Sequence, residues 1–119
     1  MSEQLYQNLR KLSTAPGIEC LGQINHGVEK ESLRVDPQGG LTMTAHPSGL
    51  GSALTHATIT TDFSEALMEF ITPVYTDPRN SIGFLSDLHT FTYTQLSAEE
   101  LLWTSSMPCV IGKDENIPL

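Results

Sequence analysis

The sequence is short of positive charge. Its 119 residues carry six Lys and Arg against fourteen Asp and Glu, which gives a formal net charge of −8. Proteins that bind nucleic acid or anionic membranes generally need a basic surface, so this balance argues against both classes of partner. The sequence also has no apolar run long enough to span a bilayer, and no basic leader followed by an apolar stretch. We therefore expect a cytoplasmic protein without nucleic-acid or membrane partners.

Cysteine is also scarce. Cys20 and Cys109 lie far apart and form no CxxC motif, and none of the four histidines is spaced as a zinc ligand. This pattern excludes a disulfide framework and a structural zinc site, and it is typical of reduced thiols in a cytosolic protein. The length suits one domain.

Acidic residues stand out in the segment 27–35, which has the alternation of a β-strand. With a period of two, Glu29 and Glu31 share a face with Leu33 and Val35. Alternate residues of a strand are roughly 6.6 Å apart, so two such carboxylates can converge on a cation. Acids on an inward face need a counter-charge, because an unpaired buried carboxylate is very costly. The alternative is an edge strand with solvated acids.

A second acidic segment follows. Glu69 lies inside the apolar run 67–71, and Asp62 follows two threonines. Between residues 29 and 69 there are six acids but only two bases, Lys30 and Arg34. Hard divalent cations prefer oxygen ligands, and Mg²⁺ usually arrives with phosphate. The acids therefore favour a magnesium site, while an outward-pointing Glu69 and a turn-capping Asp62 remain open alternatives.

The hydrophobic periodicity predicts helices and strands in alternation. We expect a helix over residues 2–12 ended by Pro16-Gly17, a strand over 29–35, a turn at 36–40 and a returning hairpin strand over 41–44. Residues 58–74 favour two strand pieces with a bend near 64–66, and a helix over 64–70 is the alternative. A second helix begins at Asp77-Pro78 and runs to about Leu96, and residues 97–100 form a short turn.

Several of these stretches together resemble one known family. The sequence is similar to the N-terminal part of the proteobacterial type of glutamate–cysteine ligase, also called gamma-glutamylcysteine synthetase. The matching stretches occur in family order and at family spacing: GVEKESLRV at 27–35, HP at 46–47, LGSALTH at 50–56, TTDFSEALMEFITPV at 60–74, DLH at 87–89 and SMPC at 106–109.

The resemblance implies an α+β fold: part of a curved antiparallel sheet with flanking helices, similar in plan to glutamine synthetase. Family members are several times longer than 119 residues. The resemblance thus implies that residues 1–119 are a truncated, incomplete N-terminal segment of the ligase catalytic domain. It also implies that the segment alone is inactive.

The resemblance further implies an ATP-dependent ligation of the gamma-carboxylate of L-glutamate to the amine of L-cysteine. This is the first step of glutathione biosynthesis and passes through gamma-glutamyl phosphate. The implied cofactor is Mg²⁺, with Mn²⁺ possible, and ATP is the cosubstrate. L-glutamate, L-cysteine, ATP and the remainder of the ligase chain would be the partners. Two alternatives are a non-catalytic acidic binding or assembly module, and the N-terminal part of a bifunctional ligase and glutathione synthetase.

The family pattern also assigns residues. Four acids fall on positions that bind or organise magnesium: Glu29, Glu31, Asp62 and Glu69. A bend near residues 64–66 would bring Asp62 and Glu69 to one face, since a regular strand puts residues seven apart on opposite faces. Arg34 can contact a substrate or phosphate, or form a structural ion pair. Met107 and Cys109 can shape a substrate pocket or simply pack.

Overall fold

The computed structural model describes residues 2–113, 115, 117 and 118. These residues form three α-helices, one 3₁₀ turn (Ser48–Leu50) and a four-stranded antiparallel sheet, which confirms the α+β fold class. The helices are α1 (Glu3–Leu12), α2 (Ala15–Gly22) and α3 (Pro78–Gln95), and the strands are β1 (Glu29–Val35), β2 (Ile59–Thr61), β3 (Leu67–Ile71) and β4 (Leu101–Leu102). The sheet order is β2-β3-β1-β4. No helix in the described part of the chain is long and apolar enough to cross a bilayer.

The N-terminal region holds one helix more than predicted. α1 begins after Ser2, whose hydroxyl accepts from the backbone N–H of Leu5, as expected for an N-cap. Pro16 does not end this helix. It lies in the first turn of α2, where the missing N–H of proline costs nothing. Neither helix buries any residue, so both lie on the surface of the described chain.

The strand predicted over 29–35 is confirmed as β1, and the helix predicted from Asp77-Pro78 is confirmed as α3. The hairpin strand predicted over 41–44 is wrong. This segment makes only an isolated bridge between Val35 and Leu41, because β3 pairs with the same edge of β1 up to Leu33. β4 pairs with the opposite edge of β1, where the N–H of Trp103 donates to the carbonyl of Leu33.

A reverse turn replaces the predicted bend near 64–66. β2 and β3 pair with each other as an antiparallel hairpin, with Ile59 opposite Phe70 and Thr61 opposite Met68. The two strand pieces were predicted correctly, but they fold back on each other instead of running on in one direction. This turn carries Asp62 and decides where its carboxylate lies.

The core lies between α3 and one face of the sheet. Its buried members come from β2, β3, β4, α3 and the 3₁₀ turn Ser48–Leu50: Leu50, Ile59, Met68, Phe70, Leu88 and Leu102. Phe84, Leu85 and Leu96 pack against this cluster. The opposite face of the sheet has no helix packed on it in the described chain, and this face carries the acids. It was predicted to be an inward face, whereas here it is open because the core uses the other side.

Candidate functional site

Three acids of the open sheet face are arranged by the pairing of β1 with β3. Glu31 lies directly opposite Glu69, and Glu29 lies opposite Ile71. Directly opposed residues of an antiparallel pair share a face, with Cβ atoms about 4.5–5.5 Å apart. On its other side, Glu69 is opposite Thr60 of β2. The central strand therefore presents Glu69 between Glu31 and a threonine hydroxyl.

Asp62 joins the same face through the β2–β3 turn. Its backbone N–H donates to the carbonyl of Leu67 at 3.1 Å, which extends the hairpin ladder by one more pair. Because Thr60 and Glu69 share the open face, the residue two positions after Thr60 returns to it. The prediction that Asp62 and Glu69 share a face is supported, with a hairpin instead of a bend as its cause.

The acids repel one another electrostatically. The pKa of Glu69 is raised, first by burial and then by the negative charges of Glu29, Asp62 and Glu31. Each of the other three acids is thus close enough to disfavour the charged form of Glu69. Among the described residues, none of the four takes part in an ion pair. The open face is therefore a concentration of uncompensated negative charge.

The two bases of β1 do not relieve this charge because they point to the α3 side. Lys30 places its ammonium 5.8 Å from the centroid of the Phe70 ring, and burial lowers its pKa. Arg34 is fully buried. The alternation predicted from the sequence, with acids on one face and bases on the other, is confirmed.

The four carboxylates have the right chemistry for a hard cation but do not enclose one. Glu29, Glu31 and Asp62 are exposed and Glu69 is half-buried. Within residues 2–113, 115, 117 and 118, no three His, Cys, Asp or Glu side chains come close enough to hold a metal ion together. Oxygen donors of this kind suit Mg²⁺, which usually takes one or two carboxylates plus phosphate and water. The described residues thus fit part of a magnesium site.

Arg34 occupies a structural position on the far side of the sheet. Its Nη1 donates to Glu100 Oε1 at 2.8 Å and to Thr44 Oγ1 at 2.7 Å, and its Nη2 donates to the carbonyls of Thr44 and Glu65. This placement supports the structural ion pair over a contact with substrate. Burial alone would raise the pKa of Glu100, but hydrogen bonds from Thr44, Ser97 and Thr42, with the charge of Arg34, hold it below its usual value.

A cavity of about 440 Å³ opens beside Glu31, between the acidic face and the segment 105–111. Met107 is largely exposed and lines this cavity, together with Leu33, Leu67 and Ser105. Cys109 is buried and does not line it, and burial raises the pKa of its thiol. The position of Met107 is compatible with a pocket role, while that of Cys109 supports packing.

Several residues of this region escaped the sequence analysis. Glu100 holds the buried guanidinium across 66 residues of chain, and Ser105 and Ile111 line the cavity. No local pattern marks Glu100, because an acid in a Ser-Ala-Glu-Glu turn is most simply solvated. Only the pairing of β1 with β4 brings it to Arg34.

Comparison with known proteins identifies the family of this chain. The family model described as "Glutamate-cysteine ligase" matches residues 9–119. The chain belongs to the glutamate–cysteine ligase family. It is 49% identical over 117 residues to the glutamate–cysteine ligase of Alcanivorax borkumensis, and 48% identical over 119 residues to that of Pseudomonas paraeruginosa. These alignments cover 98% and 100% of this chain and 22% of each relative, so the chain spans about a fifth of their length.

Two solved structures share the fold. One is a glutamate–cysteine ligase from Francisella tularensis in complex with AMP, which is 40% identical with a TM-score of 0.75 and covers 78% of this chain and 18% of that chain. The other is a bifunctional glutathione synthetase from Pasteurella multocida, which is 31% identical with a TM-score of 0.78 and covers 98% of this chain and 15% of that chain. The second match extends over nearly all of the described elements.

Proposed function

We propose that this chain is the N-terminal segment of the catalytic domain of an ATP-dependent ligase. The complete enzyme joins the gamma-carboxylate of L-glutamate to the amine of L-cysteine through gamma-glutamyl phosphate, the first step of glutathione biosynthesis. Family membership supports the reaction class. The observation that carries the proposal is the open sheet face, where Glu31 and Glu69 stand opposite each other with Glu29 and Asp62 nearby.

The proposed role of these acids follows from the charges of the reactants. ATP and the substrate carboxylate are both anions, so they repel each other, and both are repelled by the four acids. Bound Mg²⁺ supplies the positive charge that neutralises the transferring phosphoryl group. Glu29, Glu31, Asp62 and Glu69 would hold the ion from one side, and further ligands would come from the rest of the ligase. Mn²⁺ offers similar coordination chemistry, and the AMP complex of the Francisella enzyme supports nucleotide binding in this family.

Other parts of the chain have proposed supporting roles. The cavity lined by Met107 opens next to Glu31, and we propose that it contributes to the amino-acid pocket. A cytoplasmic location is proposed because ATP and L-glutamate are intracellular substrates. The match to the Pasteurella protein keeps a bifunctional ligase and glutathione synthetase as a second candidate. The reading frame beyond Leu119 distinguishes the candidates by its length and by the presence of a second module.

The metal role is tested in the complete ligase that carries this segment. Glu31→Gln and Glu69→Gln each keep the side-chain volume but remove a charged oxygen donor. We expect each to lower ADP release with glutamate, cysteine, ATP and Mg²⁺ by at least about 100-fold, since a lost metal ligand removes several kcal/mol of charge stabilisation. Glu99→Gln, at an exposed acid away from this face, is the matched control. Normal turnover in both ligand variants would refute the proposal.

A further inference from the structure

We infer that Arg34 is a positioning residue that fixes the β2–β3 turn and thereby holds Asp62 beside Glu31 and Glu69. The inference rests on the proposed function, because the proposed function makes Asp62 a metal ligand. It goes beyond that function by assigning the buried guanidinium a role in metal binding from the opposite side of the sheet. Arg34 touches neither metal nor substrate in this arrangement and acts through the backbone of the turn.

The contacts of Arg34 join separate segments of the chain. Nη2 donates to the carbonyl of Glu65 at 2.9 Å and to that of Thr44 at 2.7 Å, while Nη1 bonds the carboxylate of Glu100. The backbone N–H of Arg34 donates to the carbonyl of Ala66 at 2.7 Å. Two successive carbonyls of the turn are therefore held by one residue of β1.

One side of the β2–β3 turn is buried and the other side is exposed to solvent. Ser64 and Ala66 are buried, with 5% and 0% exposure, and face the core side with the Glu65 carbonyl. Asp62 and Phe63 are exposed on the other side. In the described chain, no side chain other than that of Arg34 hydrogen-bonds to residues 62–66. Backbone bonds from Asp62 to Leu67 and from Glu65 to Pro118 also hold the turn, and Arg34 adds the side-chain contact that ties it to the buried side of the sheet.

Arginine suits this task better than any other residue. Its planar fork presents several donors in fixed directions, whereas lysine offers a single ammonium that is strongly hydrated. Lys at position 34 could keep the ion pair with Glu100 but could not also reach the carbonyls of Glu65 and Thr44 in the same geometry. Metal sites lose affinity when their ligands move by a fraction of an ångström. Losing the fork should therefore weaken metal binding without removing any ligand.

The test measures metal binding directly in the complete ligase, freed of metal and without substrates. Mn²⁺ binding is followed by electron paramagnetic resonance in Arg34→Lys, Asp62→Asn and the double variant. We expect each single variant to weaken Mn²⁺ binding by about 10- to 100-fold, as is usual for residues that orient metal ligands. The double variant should bind no more weakly than Asp62→Asn alone, since Arg34 acts only through Asp62.

Thr44→Val is the matched control for a general loss of stability. It removes the hydroxyl that bonds Arg34 and Glu100 but leaves the contact with the turn. We expect it to lower the thermal midpoint and leave Mn²⁺ binding unchanged. If Arg34 served stability alone, Arg34→Lys would also lower the thermal midpoint and leave Mn²⁺ binding unchanged. A folded Arg34→Lys variant with normal Mn²⁺ affinity, or an additive double variant, would overturn the inference.

A second variant covers the case in which Arg34→Lys does not fold. Ala66→Gly loosens the same turn while keeping the guanidinium, and the inference predicts weaker Mn²⁺ binding here too. Glu69→Gln separates the two proposals. If Glu69→Gln weakens binding and Asp62→Asn does not, the inference fails and the proposed function stands. If neither variant weakens binding, the proposed function fails as well.

Discussion

Replacing Glu69 by glutamine should stabilise the 119-residue chain at neutral pH. Glu69 faces Glu31 across the strand pair, and its pKa is raised by burial and by the charges of its acidic neighbours. The folded state therefore keeps a proton on Glu69 at pH values where the unfolded state has lost it. As pH rises through this window, stability falls, and above the folded pKa the whole penalty applies. Glutamine does not ionise, so the variant does not carry this electrostatic penalty.

The size of the effect follows from the geometry. Like charges directly opposite each other in an antiparallel pair cost about 0.2–1 kcal/mol. Glu69 lies opposite the charge of Glu31 and is also repelled by the charges of Glu29 and Asp62. We therefore expect Glu69→Gln to raise the free energy of unfolding by about 1 kcal/mol, near the upper end of this range. For a chain of this length, that corresponds to about 3–5 °C in the thermal midpoint. The gain should vanish below about pH 4, where carboxylates are protonated.

The assay is thermal unfolding followed by circular dichroism, without divalent cations, from pH 3.5 to 8. The control is Glu99→Gln, which removes one negative charge from an exposed site and reports the effect of net charge alone. High salt should shrink the difference between Glu69→Gln and the parent chain, because exposed charges are screened. A midpoint at pH 7 that is unchanged or lowered by Glu69→Gln would refute the reasoning that the acids crowd one face.

Three further results are expected. Glu100→Gln should lower the free energy of unfolding, measured in urea, by about 3–5 kcal/mol, because it leaves Arg34 buried without its counter-charge. Adding Arg34→Met should recover most of this loss. An unchanged free energy of unfolding in the single variant would contradict the buried ion pair. Because the pKa of Glu100 is lowered in the folded state, this contribution should be present above about pH 4.3 and disappear as pH falls through the folded pKa. Exposed Cys20 should react with a thiol-specific dye at least about tenfold faster than buried Cys109, with equal rates only in denaturant. The isolated chain should show no ADP release with glutamate, cysteine, ATP and Mg²⁺, and turnover would disprove the view that the site needs ligands from the rest of the ligase.

The sequence by itself determined the elements that depend on local pattern. The alternation at 29–35 predicted β1 and placed Glu29 and Glu31 on one face, because side chains of a strand alternate regardless of partners. The pair Asp77-Pro78 marked the start of α3, since a capping carboxylate followed by proline is typical of a first helical turn when an apolar periodicity follows. The motif stretches indicated the family without any knowledge of the fold.

Tertiary structure decided which residues meet. Two strand pieces around residues 62–66 can continue, bend or reverse, and only pairing with β1 selected the reversal that brings Asp62 to the face of Glu69. The choice of Glu100 as partner of Arg34 depends on a contact across 66 residues, which no local signal encodes. Sequence patterns fix the side of a strand on which a group lies, because that depends on neighbouring residues. They leave open which strands pair and which face is covered, because that depends on the burial of apolar surface over the whole chain.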